Sequence, residues 1–152
     1  MLRAAHPAVI FADDLTGAND TGVQFARLGL RTRVCFGALQ GQSLDTSEVV
    51  VIDTDTRNCD AALAYQRVFT VAQSLARRNL PVIYKKVDST LRGALGAELD
   101  AVMDAYAIQL VVLSPAFPWM VRMALRRFTV SGLRASPCCQ DPAIPLAHSM
   151  PC

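Results

Sequence analysis

The sequence predicts an α/β fold of the three-layer, Rossmann-like and doubly wound type, in which helices cover both faces of a parallel sheet. Short apolar runs alternate along the chain with longer segments of helical periodicity. Most of these runs are apolar on both faces, as in a buried parallel strand, and stop at a polar or charged cluster. The length of 152 residues, 52% of them hydrophobic, favours one domain.

Five segments are predicted as strands. Residues 8–12 form an apolar run too short for a helix, and it ends at Asp13 and Asp14. Residues 31–36 alternate arginines with other residues, which is the period of an outer strand exposed on one face. In chain order the predicted strands are residues 8–12, 31–36, 48–52, 82–87 and 110–113.

Three helices are predicted between and after these strands. Residues 17–28 carry small residues at helical spacing, which indicates close packing on the sheet, with Asp14 or Thr16 as the N-cap. A second helix begins at Asp60, and its apolar stripe ends near residues 77–79, before a proline. Apolar residues at helical intervals predict a third helix over residues 95–106.

Polar clusters follow four of the predicted strands. They are residues 13–14, 53–57, 88–92 and 114–118. Parallel strands of one sheet end at the same edge, and open α/β sheets bind ligands there. We therefore expect the four clusters to lie together at this carboxyl edge and to form a site for a small ligand.

The first two clusters each have a structural and a functional interpretation. Asp13 and Asp14 are typical of a helix N-terminus, and a carboxylate there can also accept hydrogen bonds from ligand hydroxyls or act as a general base. Residues 53–57 are compatible with a solvated turn, but Arg57 can bind a carboxylate through two parallel bonds. Both interpretations stay open.

The third cluster is the centre of the predicted site. Its structural interpretation is a charged loop in which Asp88 or Ser89 caps the next helix, but neighbouring cations repel unless an anion lies between them. Alternation along a strand places Lys86 on the side of Asp88 and Lys85 on the other side. One of the two lysines can then simply point into solvent.

Composition excludes several functional classes. A net charge of +2, from 15 basic and 13 acidic residues, predicts neither a nucleic-acid nor a membrane partner. No apolar stretch is long enough to span a bilayer and the start is not a secretory signal, so we expect a cytoplasmic protein with five reduced cysteines. Neither common phosphate-binding glycine motif occurs, and no metal site is predicted.

Four motifs, in order over residues 8–118, closely resemble the N-terminal domain of the four-carbon acid sugar kinases. They are residues 11–22, 53–57, 84–93 and 115–118. The family comprises ATP-dependent D-threonate, L-threonate and D-erythronate kinases. The resemblance implies a sugar-acid ligand bound by this domain, ATP bound by a separate C-terminal domain, and phosphoryl transfer between them; it leaves open whether Mg²⁺ enters with ATP.

The resemblance also implies which residues act. Carried over to this chain, the substrate-binding residues are Asp13, Asp14, Arg57, Lys86, Asp88, Ser89, Thr90 and Arg92. Two of them, Asp14 and Asp88, are the candidate catalytic residues. Cations would hold the carboxylate of the sugar acid, while carboxylates and hydroxyls would bond its hydroxyl groups.

The domain organisation follows from the extent of the resemblance. Residues 1–118 are predicted as the acid-sugar-binding domain and residues 119–152 as an irregular tail rich in proline and cysteine, with the nucleotide-binding domain absent. We expect a substrate-binding domain that cannot phosphorylate alone. Two alternatives stay open: a non-catalytic interaction module, for example a homo-oligomer, and a kinase completed in trans by a separate nucleotide-binding partner domain.

Overall fold

The computed structural model describes residues 7–37, 44 and 46–115. Strands and helices alternate in it as β1 (Ala8–Ala12), α1 (Leu15–Arg27), β2 (Thr32–Phe36), β3 (Val49–Asp53), α2 (Ala61–Ala76), β4 (Val82–Lys86) and α3 (Leu95–Tyr106). These bounds agree with the predicted ones to within a few residues. The predicted tail, residues 119–152, lies outside the described residues.

The four strands form one parallel sheet in the order β2-β3-β1-β4. Strand β1 is therefore central, and its residues Val9 to Ala12 are completely buried. The last residue of β1, Ala12, pairs with Asp53 of β3 and with Lys86 of β4. The three strands thus end level with one another, and the segments that follow them leave the sheet side by side.

Helices cover both faces of the sheet, which confirms the three-layer prediction. Helix α1 packs through Ala18 and Phe25 on one face, and α2 and α3 pack on the other. The β1-to-β2 and β3-to-β4 connections run in opposite directions across the sheet, so right-handed crossovers place their helices on opposite faces. The predicted close packing occurs at Gly22, where an added Cβ would lie 3.2 Å from Val34 Cγ2.

The prediction of a buried strand at residues 110–113 is wrong. In the structure this segment forms neither a strand nor a ladder with β4, and the side chains of Leu110 and Val112 are 59% and 83% exposed. The prediction was based on the apolar run alone, but a strand is buried only where another element packs against it. A groove of about 440 Å³ separates the segment from the β4 side of the domain.

None of the helices in the described part of the chain is both long enough and apolar enough to cross a bilayer.

Candidate ligand-binding site at the carboxyl edge of the sheet

The segments after β1, β3 and β4 meet at the carboxyl edge through their backbones. The amides of Thr56 and Arg57 donate to the carbonyl oxygen of Asp13, at 3.0 and 3.1 Å. Gly93, which has a φ of +93°, lies close to the backbone of Arg57: an added Cβ at Gly93 would lie 3.5 Å from the Arg57 carbonyl oxygen. Three of the four predicted clusters therefore come together. Ser114 of the fourth lines the groove beside β4, and residues 116–118 of that cluster lie outside the described residues.

Arg57 is the centre of this arrangement. Its Nε and Nη2 donate to the two carboxylate oxygens of Asp13, at 2.9 and 3.0 Å, and its Nη1 donates to Asp14 Oδ2 at 2.5 Å. Asp88 Oδ1 lies 3.8 Å from the same Nη1. Bonding to Asp13 raises the pKa of Arg57, despite the opposing effect of its own burial. The two-bond grip expected for Arg57 is present, but the carboxylate it holds is that of Asp13.

Asp14 serves the fold and the cluster at once. Its side chain is the N-cap of α1, where Oδ1 accepts the amide of Gly17 at 2.8 Å, while Oδ2 accepts from Arg57. The side chain remains 25% exposed, so it can still be reached by a ligand. Both interpretations of this aspartate from the sequence are compatible with that geometry.

Asp88 organises the loop after β4. Its Oδ2 accepts from the amide of Thr90 at 2.9 Å and from the Thr90 hydroxyl, and the Arg92 guanidinium donates to both oxygens at 3.1 and 2.9 Å. The Arg92 bonds, followed by those from Thr90, hold the pKa of Asp88 well below its usual range. The N-cap of helix α3 is Ala94, which has no side-chain cap hydrogen bond, so neither Asp88 nor Ser89 caps this helix.

The two lysines point to opposite faces of the sheet, as alternation predicts. Lys86 lies on the α1 face: an added Cβ at Gly17 would be 4.0 Å from its Nζ, which donates to the Val87 carbonyl oxygen at 2.7 Å. Lys85 Nζ lies 2.7 Å from Glu98 Oε2, with side-chain exposures of 3% and 1%. The suggestion that one lysine points into solvent is therefore wrong, because Glu98 supplies a buried counter-charge for Lys85.

Other side chains add charge and shape to the edge. Asp53 is buried, and desolvation is the main cause of its raised pKa; the neighbouring carboxylates of Asp55, Asp14 and Asp13 raise it further. Ser89 is half-buried, while Arg92 is 65% exposed at the outer side of the loop. Within the described residues, no group of three or more histidine, cysteine and acidic side chains is placed to hold a metal ion.

Sequence reasoning missed a buried polar network beneath the edge. Thr54 Oγ1 donates to the Ala12 carbonyl oxygen at 2.9 Å and lies 2.8 Å from Thr56 Oγ1, which in turn donates to Glu98 Oε1. The signal for Glu98 was available in the sequence. It falls between Leu95 and Val102 on the apolar stripe of α3, where a lone carboxylate requires a buried partner.

Comparisons with known proteins agree with this architecture. A family model described as the sugar-binding N-terminal domain matches residues 8–150. The chain is 38% identical over 145 residues to a D-threonate kinase of Salmonella typhimurium, which is 93% of this chain and 34% of that protein. It is 36% identical over 149 residues to a D-erythronate kinase of Heliobacterium modesticaldum, and this match also covers 93% of this chain and 34% of that protein. The chain thus spans about a third of the length of these curated relatives.

A solved structure is also similar. It is a domain of unknown function from Bordetella bronchiseptica, with bound citrate and in a domain-swapped dimer. The TM-score is 0.58 and the identity 39%, over 64% of this chain and 25% of that one. A doubly wound sheet with charged side chains at its carboxyl edge defines a small-molecule-binding α/β domain. The chain belongs to the family of sugar-binding N-terminal domains of four-carbon acid sugar kinases.

Proposed function

We propose that this domain binds a sugar acid of the threonate and erythronate class at the carboxyl edge of its sheet. The observation that carries the proposal is the junction of three side chains: Asp14 Oδ2 lies 2.5 Å and Asp88 Oδ1 3.8 Å from the same atom, Arg57 Nη1. Carboxylates beside cations suit a ligand that carries several hydroxyls and one negative charge. Kinases of two such acids are among the relatives.

The residues divide the recognition between them. Arg92, which is 65% exposed, and Lys86 supply the positive charge for the ligand carboxylate. Asp14 and Asp88 accept hydrogen bonds from ligand hydroxyls, and Ser89 and Thr90 add hydroxyl contacts. The remaining two residues, Asp13 and Arg57, form the frame of the site through their paired hydrogen bonds. Arg57 is best suited to hold the carboxylates in place, because its Nε and Nη2 are engaged by Asp13.

The two candidate catalytic residues differ in chemistry. A general base works best when its pKa lies near the operating pH. Hydrogen bonds from Arg92 and Thr90 lower the pKa of Asp88, which makes that carboxylate a weak base. Asp88 is therefore the candidate for orienting the ligand. Asp14, whose side chain is 25% exposed against 8% for Asp88, is the more accessible candidate for accepting a proton from the ligand hydroxyl that is phosphorylated.

Phosphoryl transfer from ATP is proposed for the whole protein rather than for these residues alone. The relatives are kinases, and this chain spans about a third of their length. The residues at the carboxyl edge suit the acceptor side of such a reaction, because they combine cations for a carboxylate with acceptors for hydroxyl groups. We expect the 152-residue polypeptide to bind the sugar acid without phosphorylating it, and a separate nucleotide-binding part to complete the reaction.

Isothermal titration calorimetry tests the binding proposal. D-threonate, L-threonate, D-erythronate and citrate are titrated into the 152-residue chain, with erythritol as the uncharged polyol control. We expect at least one four-carbon acid to bind, erythritol not to bind, and Arg92→Ala to weaken binding about tenfold or more through the loss of a charged hydrogen bond. Arg31→Ala is the matched control, because Arg31 is 49% exposed and pairs with Glu48 just before β2 and β3, at the opposite edge of the sheet. Equal affinities of the Arg92 and Arg31 variants would contradict the site.

A second proposal concerns association with another copy of the chain. The apolar groove of about 440 Å³ along β4, with exposed Leu110 and Val112 at its border, is the observation that favours it. The solved relative is a domain-swapped dimer. Light scattering with size-exclusion chromatography should give a dimer mass for the wild type and a monomer mass for Val112→Asp. A dimer without any response to sugar acids would favour the non-catalytic interaction module.

A further inference from the structure

A continuous buried network connects β4 and α3 with the turn that carries Arg57. It consists of Lys85, Glu98 and Thr56, whose residues are all buried or carry buried side chains. Lys85 Nζ lies 2.7 Å from Glu98 Oε2, while Glu98 Oε1 accepts from the Thr56 hydroxyl. Beside this network, the Thr54 hydroxyl lies 2.8 Å from that of Thr56 and donates to the Ala12 carbonyl oxygen at the end of β1.

Stability alone is a weak explanation for this network. A buried ion pair loses hydration on both partners, and well-packed apolar residues of similar volume often stabilise a protein as well or better. Such residues would suit this face of the sheet, because Val68 and Ala72 of α2 and Val102 of α3 belong to one buried apolar cluster with β1 and β3. The feature that apolar residues could not supply is a fixed acceptor for the hydroxyl of Thr56.

Thr56 holds its turn from two sides. Its amide and that of Arg57 bond the Asp13 carbonyl oxygen, which ties the turn to β1. Its hydroxyl bonds Glu98, which ties the turn to α3, the helix that directly follows the Asp88 loop. The position of the Arg57 guanidinium between Asp13 and Asp88 therefore depends on a bond on each side.

We infer that Glu98 is a positioning residue for the ligand site: through Thr56 it fixes Arg57, and Lys85 holds its carboxylate in the orientation that meets Thr56. The affinity part of this inference rests on the proposed binding of a sugar acid. The positional part does not, because the placement of Arg57 can be observed without ligand.

Two double variants separate positioning from stability. Lys85→Met with Glu98→Gln removes both charges but leaves an amide oxygen for the Thr56 hydroxyl. Lys85→Met with Glu98→Leu removes both charges and the acceptor. The two proteins are matched in charge and similar in volume, so they differ chiefly in the bond to Thr56. Thr56→Val removes the same bond from the other end.

Two measurements are made on each variant, together with urea denaturation as the test of stability. The first is the affinity for the four-carbon acid that binds the wild type. We expect the Gln-containing variant to bind within about threefold of wild type, and the Leu-containing variant and Thr56→Val to bind about tenfold more weakly, at comparable stability. Tyr65→Phe, which removes a bond between α2 and Asp104 of α3 away from the network, should leave affinity unchanged.

The second measurement is the ¹⁵N–¹H resonance of Arg57 Nε in the ligand-free protein. This proton is bonded to Asp13, so its shift and exchange rate report the placement of the guanidinium. We expect both to change in the Leu-containing variant and to be retained in the Gln-containing one. Equal behaviour of the two double variants would overturn the inference, whether or not the wild type binds acids. Absence of binding by the wild type would instead refute the proposed function.

Discussion

Replacing Arg57 by alanine should destabilise the domain strongly. Asp13 is only 2% exposed, and both of its carboxylate oxygens accept from Arg57. Removing one partner of a buried pair leaves an uncompensated charge, which costs about 3–5 kcal/mol. The Arg57 side chain is 16% exposed, so water can partly solvate the space that it leaves, and we expect a loss near the lower limit, about 3 kcal/mol. That is a large fraction of a typical domain stability of about 5–15 kcal/mol.

Urea denaturation followed by circular dichroism measures this loss, with Arg57→Lys as a milder variant that keeps the charge and loses the two-bond geometry. Arg67→Ala is the matched control. Arg67 also pairs with an aspartate, at 3.2 Å, but the two side chains are 42% and 91% exposed, so the loss should be below about 1 kcal/mol. Similar losses for Arg57→Ala and Arg67→Ala would refute the view that burial makes the Arg57 cluster important for stability.

Three further predictions follow from individual contacts. Burial raises the pKa of Asp53, so the contribution of this carboxyl group to stability falls as the pH rises above about 4. Asp53→Asn should therefore unfold at higher urea than wild type at pH 7, with the advantage gone at pH 3. Arg92 lowers the pKa of Asp88, so the stability that this carboxylate contributes is present above about pH 4 and is lost at lower pH. Asp88→Asn should therefore unfold at lower urea than wild type at pH 7, and the difference between the two urea midpoints should shrink as the pH is lowered to about 2.5. Gly17→Ala should lose about 1 kcal/mol in urea denaturation, because the new Cβ would lie 2.8 Å from the capping Asp14 Oδ1; a gain would show that the cap moves at no cost.

Local patterns in the sequence were sufficient to predict most of the fold. The apolar run at residues 8–12 and the small residues of α1 specify a buried strand and a closely packed helix without knowledge of the rest of the chain. Period-two alternation placed Lys85 and Lys86 on opposite faces. The run at residues 110–113 has the composition of a buried strand. Composition alone, however, does not determine whether the segment pairs with a neighbouring strand such as β4.

Partners within the candidate site were much harder to predict. Arg57 and Asp13 are far apart in the chain and both lie on turns, so their pairing depends on backbone geometry that no local pattern specifies. Asp55, for example, adopts a φ of +49°, which is unusual for a residue other than glycine and reverses the chain so that Arg57 reaches back towards β1. The same limit explains why Glu98 was recognisable as a buried acid while its bond to Thr56 was not.

The central position of β1 determines how the domain should open in solution. In native-state hydrogen exchange, amides of the two inner strands, β1 and β3, should be the slowest to exchange, because ladders on both sides must separate before solvent reaches them. Strands β2 and β4 each have a ladder on one side only among the described residues, so fluctuations should begin at these two strands. Asp13 and Asp14 are thus attached to an inner, protected strand and the Asp88 loop to a less protected one. A bound ligand that bridges them would slow exchange mainly in β4.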